Sequence, residues 1–369
     1  MTLNAIHQFI PCLVSGDAIG SHTLQVRTLL HDIGLKSDTY IGAVGPDVPI
    51  PTIQYEKYPP KRSSSDKPGD TMLLYHSSTG CPMAGFLAKR PEPLLVNYHN
   101  ITPSADFQVW NRQAAKTMEE GREELKILAR TAVHGIGDSR YNEEELIAAG
   151  YRSTSVAPIL FDPATFDRRV DIPTLDWLRR QKQKGGANIL FVGRLAPNKA
   201  QHDVITAFAA YRRLYDSKAR LYLVGGSPIP EYLPTLRRLA LGLGLMDAID
   251  FAGFVSDEQL AAYYKGADVF LCLSDHEGFC VPLLEAMFNK VPIIAYSAAA
   301  VPETLADGGL LLSNKRAGYV AAAVDRVIRD DSLRQSLVDA GTARLADFEL
   351  ERSRKAYRSG IELALEQVG

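Results

Sequence analysis

The chain has 369 residues, 46% of them hydrophobic and 23% charged, with a formal net charge of −2. That length exceeds what one core normally serves, so two domains are expected, and the composition is that of an ordinary globular protein. The balanced charge argues against nucleic acid or another general polyanion as partner, and no apolar run reaches the roughly 18 residues of a membrane span. The opening residues lack the basic-then-apolar layout of a signal peptide, so a cytoplasmic chain is expected. Four cysteines, Cys12, Cys81, Cys272 and Cys280, show no paired or metal-ligand spacing, and Cys272 reads as a small buried apolar residue.

The run from Ala5 to Val14 predicts a first strand, weakened in its second half by Pro11. A small-residue loop from Ser15 to His22 carries Gly16 and Gly20, and a helix with Leu24, Val26, Leu29, Leu30 and Ile33 on one face runs to Gly34. Strand, glycine loop and helix is a layout that lets a backbone approach a phosphate; a bare turn is an equal reading of these residues. Residues 59–70 read as a polar surface loop. Strands follow near Met72–His76 and Leu94–Asn97; the first ends on His76 and the second runs into Tyr98-His99. A histidine at the end of a parallel strand can face a ligand cleft, although a structural role is the commoner one. Gln108 to Arg130 predicts a long helix with a solvated charged face, and Asp138 or Ser139 caps the next one. Ser155 to Leu160 predicts the last strand of the first half, and a linker is expected near Pro163–Asp171. The basic run Arg179 to Lys184 could touch anionic lipid, but a solvated helix end is the stronger reading.

From Asn188 the pattern alternates: strands 188–193, 220–224, 249–255, 268–273 and 291–296, with helices 200–214, 231–243, 257–266, 281–289 and 301–306 between them. This predicts a parallel sheet flanked by helices. Two strand ends carry chemistry. The first continues as Gly193-Arg194-Leu195-Ala196-Pro197-Asn198-Lys199, placing a guanidinium and an ammonium where open α/β sheets bind ligands, a pair suited to a diphosphate. The second continues as Glu277-Gly278-Phe279-Cys280-Val281-Pro282-Leu283-Leu284-Glu285-Ala286-Met287. Pro282 fits a first helical turn, so Glu277 sits before the helix and Glu285 within it, and the amides of Cys280 and Val281 point towards an anion. Two glutamates at such a spacing are usually solvated surface; the strand-loop-helix setting and the basic motif upstream single these out.

Together the motifs resemble those of the retaining, sugar-nucleotide-dependent glycosyltransferases of family 4, the group 1 glycosyltransferases. The match is strongest over residues 188–310. The resemblance implies an α/β protein of GT-B fold, two Rossmann-like domains facing across a cleft. Residues 1–168 would form an acceptor-side domain joined by the terminal helix 351–369, and residues 169–350 the nucleotide-sugar domain. It implies transfer of a hexosyl unit from a nucleoside diphosphate sugar to an acceptor hydroxyl, in polysaccharide or glycoconjugate assembly. The acceptor would be a saccharide, a lipid-linked group or a small molecule, with a peripheral contact at the inner membrane surface left open. His99, matching the family's His-x-x-x-Pro element with Pro103, would face the donor sugar beside Glu277, with Arg194 and Lys199 on the diphosphate. Glu285 would accept from ribose hydroxyls, and Gly16, Gly20, Gly193, Gly253, Phe254, Val255, Gly278, Phe279, Cys280 and Val281 would line the donor site. Cys280 stands where relatives carry glycine, and Ala298 to Glu303 where many carry Gly-Gly-x-x-Glu. With no Asp-x-Asp at a strand end and no His/Cys cluster in the sequence, no metal or other cofactor is expected. A sugar-nucleotide 2-epimerase on the same fold and a non-catalytic sugar-nucleotide binder are the alternatives; a phosphorylase would need a pyridoxal lysine for which the sequence makes no case.

Overall fold

A computed structural model describes residues 3–14, 16–46, 48–59, 70–165 and 170–368. The expected polar loop at 59–70 therefore lies almost wholly outside the described residues, as does the middle of the expected linker, 166–169. The chain divides into two units: Met1–Ala105, Arg112–Phe161 and Phe348–Gly369 form the first, and Asp106–Asn111 with Asp162–Asp347 the second.

The first unit holds a parallel sheet of β1 (Ala5–Leu13), β2 (Thr39–Val44), β3 (Ile53–Gln54), β4 (Thr71–Ser77), β5 (Leu94–Tyr98), β6 (Ala132–Gly137) and β7 (Thr154–Val156), in the order β3-β2-β1-β4-β5-β6-β7. β4 and β5 are buried along nearly their whole length, as strands covered on both faces must be. One face packs Phe9, Tyr75, Tyr98 and Leu125; the other packs Ile6, Val26, Leu95 and Ile136 against Tyr357, Ile361 and Ala364 of the terminal helix Leu350–Glu366.

The second unit holds β8 (Asn188–Val192), β9 (Arg220–Val224), β10 (Ile249–Gly253), β11 (Val269–Cys272), β12 (Ile293–Tyr296) and β13 (Leu310–Leu312), parallel and ordered β10-β9-β8-β11-β12-β13. The winding reverses between β8 and β11, which are direct neighbours. Such a reversal sends the two following loops to opposite sides and opens a crevice at the strand ends, where open α/β sheets take their ligands.

Several elements depart from the reading above. β2, β3, β6 and β13 are additional strands, and the last first-half strand is only Thr154–Val156. The long helix begins at Arg112 rather than Gln108, because Trp110 and Asn111 close a turn on Phe107. The glycine loop is shorter than expected. Its helix already starts at Ala18, capped by Asp17, whose carboxylate accepts from the Gly20 amide at 2.6 Å. Gly20 is thus helical, and a Cβ there would lie 2.0 Å from the Val14 carbonyl oxygen, so glycine serves helix-to-strand packing. Gly16 keeps a loop position, with φ of 78°. Among the described residues no helix is long and apolar enough to cross a membrane.

Candidate active site

The two basic and acidic motifs meet at the β8–β11 crevice. Gly193 follows β8 with φ of 146°, a conformation that favours glycine. Arg194 next to it is exposed, and its guanidinium has no ion pair or hydrogen-bond partner among the described residues. Lys199 ends a single helical turn, Pro197–Lys199, and its Nζ lies 2.5 Å from Glu277 Oε2. The Lys199 and Glu277 side chains are 15% and 10% exposed, so the pair is largely screened from water yet still reachable. Lys199, expected on a diphosphate, thus already shares its charge with Glu277.

Asn198, which sequence reasoning passed over, holds this arrangement. Its carbonyl accepts from the Asp275 and His276 amides at 2.9 and 3.3 Å, and its side-chain amide donates to the His276 carbonyl at 3.2 Å. The β8 and β11 loops are stapled together just before Glu277. The Glu277 carbonyl also accepts from the Ala300 amide at 3.2 Å, tying in the loop after β12.

Gly278 and Phe279 lead to Cys280, which occupies the N-cap of the helix Val281–Phe288 with φ of 74° and gives no side-chain cap. Pro282 lies in the first turn, and the amides of Cys280 and Val281 find no partner among the described residues. A helix start with open amides carries partial positive charge. Within the helix, Glu285 accepts a hydrogen bond from the Tyr264 hydroxyl at 2.6 Å. Burial pushes its carboxyl up to about 7, only partly offset by the Tyr264 hydrogen bond. Tyr264 is the second residue missed; it lies in the helix Asp257–Gly266 with no local signal of its destination. At the neighbouring edge β10 ends on Gly253 with φ of 71°, beside a Phe254 that is 71% exposed and a partly buried Val255. Of the basic run, Arg179 pairs with Asp176 at 3.4 Å and Lys182 pairs with Asp268.

The first unit handles its polar residues differently. His99 is held inside a hydrogen-bonded ladder, its Nδ1 2.7 Å from Asp138 Oδ2 and its Nε2 2.9 Å from His76 Nδ1. The His99 and Asp138 side chains are 1% and 2% exposed. His76 reaches on to Gln8 at 2.9 Å, so this secondary cleft candidate is a buried link in the ladder. Asn97 donates to Asp138 at 3.0 Å and accepts from His22 and Tyr357 at 2.9 and 3.0 Å. The Leu160 amide donates to His22 Nδ1 at 3.0 Å, which fixes the Nε2–H tautomer for the bond to Asn97. Burial drives the His22 imidazole down to about 4 and His76 well below the usual range, so both are neutral near pH 7. Of the two cap candidates, Ser139 accepts from the Asn142 amide at 3.2 Å, leaving Asp138 to orient His99.

The absence of a His/Cys cluster is corrected by the fold. His22, His76 and His99 converge in the first unit, and Cys272, Glu277 and Cys280 in the second. Every ring nitrogen of the first group is already engaged by a neighbour.

Residues 178–344 match the family described as Glycosyl transferases group 1. A GDP-mannose-dependent alpha-(1-6)-phosphatidylinositol monomannoside mannosyltransferase of Mycobacterium tuberculosis is 34% identical over 182 residues, 43% of this chain and 46% of that protein. The chain thus spans about half the length of that relative. A D-inositol 3-phosphate glycosyltransferase of Geodermatophilus obscurus is 28% identical over 84% of this chain and 70% of its own. Among solved structures, HepE of Anabaena in complex with UDP-glucose superimposes with a TM-score of 0.73 at 17% identity, covering 97% of this chain and 99% of the other. Sucrose-phosphate synthase of Thermosynechococcus elongatus gives 0.73 at 21% identity, covering 97% and 100%. The second unit therefore carries the sequence pattern of the group 1 glycosyl transferases, on a chain with the GT-B glycosyltransferase fold.

Proposed function

We propose that the protein is a retaining glycosyltransferase that moves a hexosyl unit from a nucleoside diphosphate sugar to an acceptor hydroxyl. The observation that carries this reading is the Lys199–Glu277 pair at the β8–β11 reversal, beside an unpartnered Arg194 and an uncapped helix start. Arg194, Lys199 and the amides of Cys280 and Val281 hold the diphosphate and stabilise the charge that grows on it as the sugar C1–O bond breaks. Preorganised charge of this kind typically supplies several kcal/mol of transition-state stabilisation. The acceptor oxygen attacks on the face that the diphosphate leaves, and the departing phosphate takes the acceptor's proton. A sugar hydroxyl entering between Lys199 and Glu277 donates to the carboxylate, while Glu285 accepts from the ribose. Gly193, Gly253, Phe254 and Val255 border the base, with Phe254 free to stack on it. Gly16 offers the first unit's backbone approach, and Gly20 supports it by letting the helix come close. For His99 to touch a sugar its ring must turn away from His76, so its contribution in this proposal is to be won from the ladder described above.

The names of the mannosyltransferase and of the UDP-glucose complex point to a nucleoside diphosphate sugar as the common donor class. A lipid-linked or inositol-containing acceptor fits the relatives' names. A thermal-shift screen of nucleoside diphosphate sugars, followed by hydrolysis and transfer assays on the best one, tests the proposal. We expect one donor to stabilise the protein, the product to keep the donor's anomeric configuration, and a chelator to leave transfer intact. Release of an epimerised sugar without any acceptor would establish the epimerase reading instead, and activity restored only by magnesium or manganese would overturn the account of the diphosphate.

A further inference from the structure

We infer that Cys272, Cys280 and Glu277 form a binding site for a thiophilic divalent cation such as Zn²⁺, placed so that its occupation shuts the donor site. Cys272 ends β11 and Cys280 precedes the next helix, and the loop between them folds back so that the two Sγ atoms lie 3.9 Å apart. Two thiolates on one tetrahedral zinc, each about 2.3 Å from the metal, stand about 3.8 Å apart, so the sulfurs already hold the required span. A carboxylate oxygen of Glu277 completes the group, all three donor atoms lying within 4.8 Å of one another. Both cysteines are free thiols and are buried, as is Glu277. Such a set, two soft sulfurs and one oxygen with a fourth position left for water, suits zinc or cadmium over magnesium.

Charge closes as well as geometry. Binding releases two thiol protons to solvent, and the two positive charges of the ion cancel the two thiolates formed. The ion, the two thiolates, the Glu277 carboxylate and the Lys199 ammonium together carry the same net charge as the Lys199–Glu277 pair alone, so no net charge is added to the largely buried site. Cys280 also holds its thiol there in a left-handed conformation, φ of 74°, that a residue with a side chain adopts at a cost. The consequence for activity rests on the function proposed above: a cation on Glu277 takes the carboxylate from Lys199 and from the sugar. A cation at this site is thus an inhibitor.

The test titrates the full-length protein, reduced with a phosphine, with Cd²⁺ and with Zn²⁺. A thiolate-to-cadmium charge-transfer band should rise to one equivalent and be displaced by Zn²⁺. Cys272→Ala should abolish the band and weaken zinc binding by at least about 100-fold, more than loss of an outer-shell partner costs. A variant with Cys12 and Cys81 both replaced by serine should keep the band, and Cys272→Ser repeats the measurement should the alanine variant misfold. No saturable band in the wild type, a band that survives in folded Cys272 variants, or oxidation of the pair to a disulfide in place of metal binding would each overturn the site. In transfer assays Zn²⁺ should inhibit the wild type and leave Cys272→Ala active. A one-equivalent band without inhibition would keep the cation site and defeat the assigned role of Glu277, which separates the two failures.

Discussion

The two units place comparable polar residues at the ends of comparable strands and treat them in opposite ways. In the first, Asp138, His99, His76, Asn97 and His22 satisfy one another in a closed, buried ladder. In the second, Arg194 stays unpartnered, Lys199 and Glu277 pair under partial cover, and the next helix starts uncapped. A closed ladder rigidifies a sheet, since each buried member lacking its partner would carry a desolvation penalty. An unclosed set keeps hydrogen-bonding capacity for a ligand. Function is therefore to be sought first in the second unit, and the ladder's part is to fix the strand ends of the first.

That contrast is broken or sharpened most strongly at Lys199. Lys199→Ala leaves Glu277 without its counter-charge and, in the proposed reaction, removes a diphosphate contact, so we expect turnover to fall by about 10²–10³-fold. Steady-state transfer or donor hydrolysis checks it, and a change of only a few-fold would remove the pair from the site. Asp138→Ala should do the reverse. It strips acceptors from His99 and Asn97, which at about 1.5–3 kcal/mol per charge-assisted bond amounts to roughly 4 kcal/mol of stability. Donor affinity of the folded fraction should stay within about a factor of two, and denaturant melts beside donor titrations separate these effects.

Glu285 offers a test of sign. Its carboxyl titrates near 7 in the fold against an ordinary value of 4.5. A raised carboxyl pKa contributes stability that is complete below the ordinary value and is lost as pH rises through 7. Glu285→Gln cannot ionise, so it should be more stable than the wild type at pH 8 by about 3 kcal/mol, with no gain at pH 4, while donor binding weakens. Parallel melts at the two pH values decide it, and a loss of stability at pH 8 would contradict the assigned burial. The smallest effect belongs to the helix cap: Ser139→Ala should cost about 1 kcal/mol and leave transfer unchanged. A drop in activity there would bring the first unit's strand ends into the chemistry after all.

Periodicity alone made the second unit legible. Its apolar runs of four to six residues separated by amphipathic stretches became strands and helices within a residue or two, because fully buried parallel strands write themselves as continuous apolar runs. Arg194, Lys199, Glu277 and Glu285 were equally legible, since strand-end position follows from the local pattern. β2 and β3 went unread because the first is half exposed and the second has two residues. Partnerships are another matter. That Lys199 meets Glu277, 78 residues away, that Tyr264 reaches Glu285, and that Asn198 binds the β11 loop follow from β8 and β11 being neighbours at the winding reversal. The local sequence carries no trace of strand order. The same holds for the cysteines: a spacing of eight residues matches no ligand pattern, yet a strand, a returning loop and a helix start bring the sulfurs to 3.9 Å. Sequence by itself determined which residues stand at strand ends, through hydrophobic burial acting over a few residues. Only the tertiary structure decided which of them meet and which stay open to a ligand, because that depends on contacts between segments far apart in the chain.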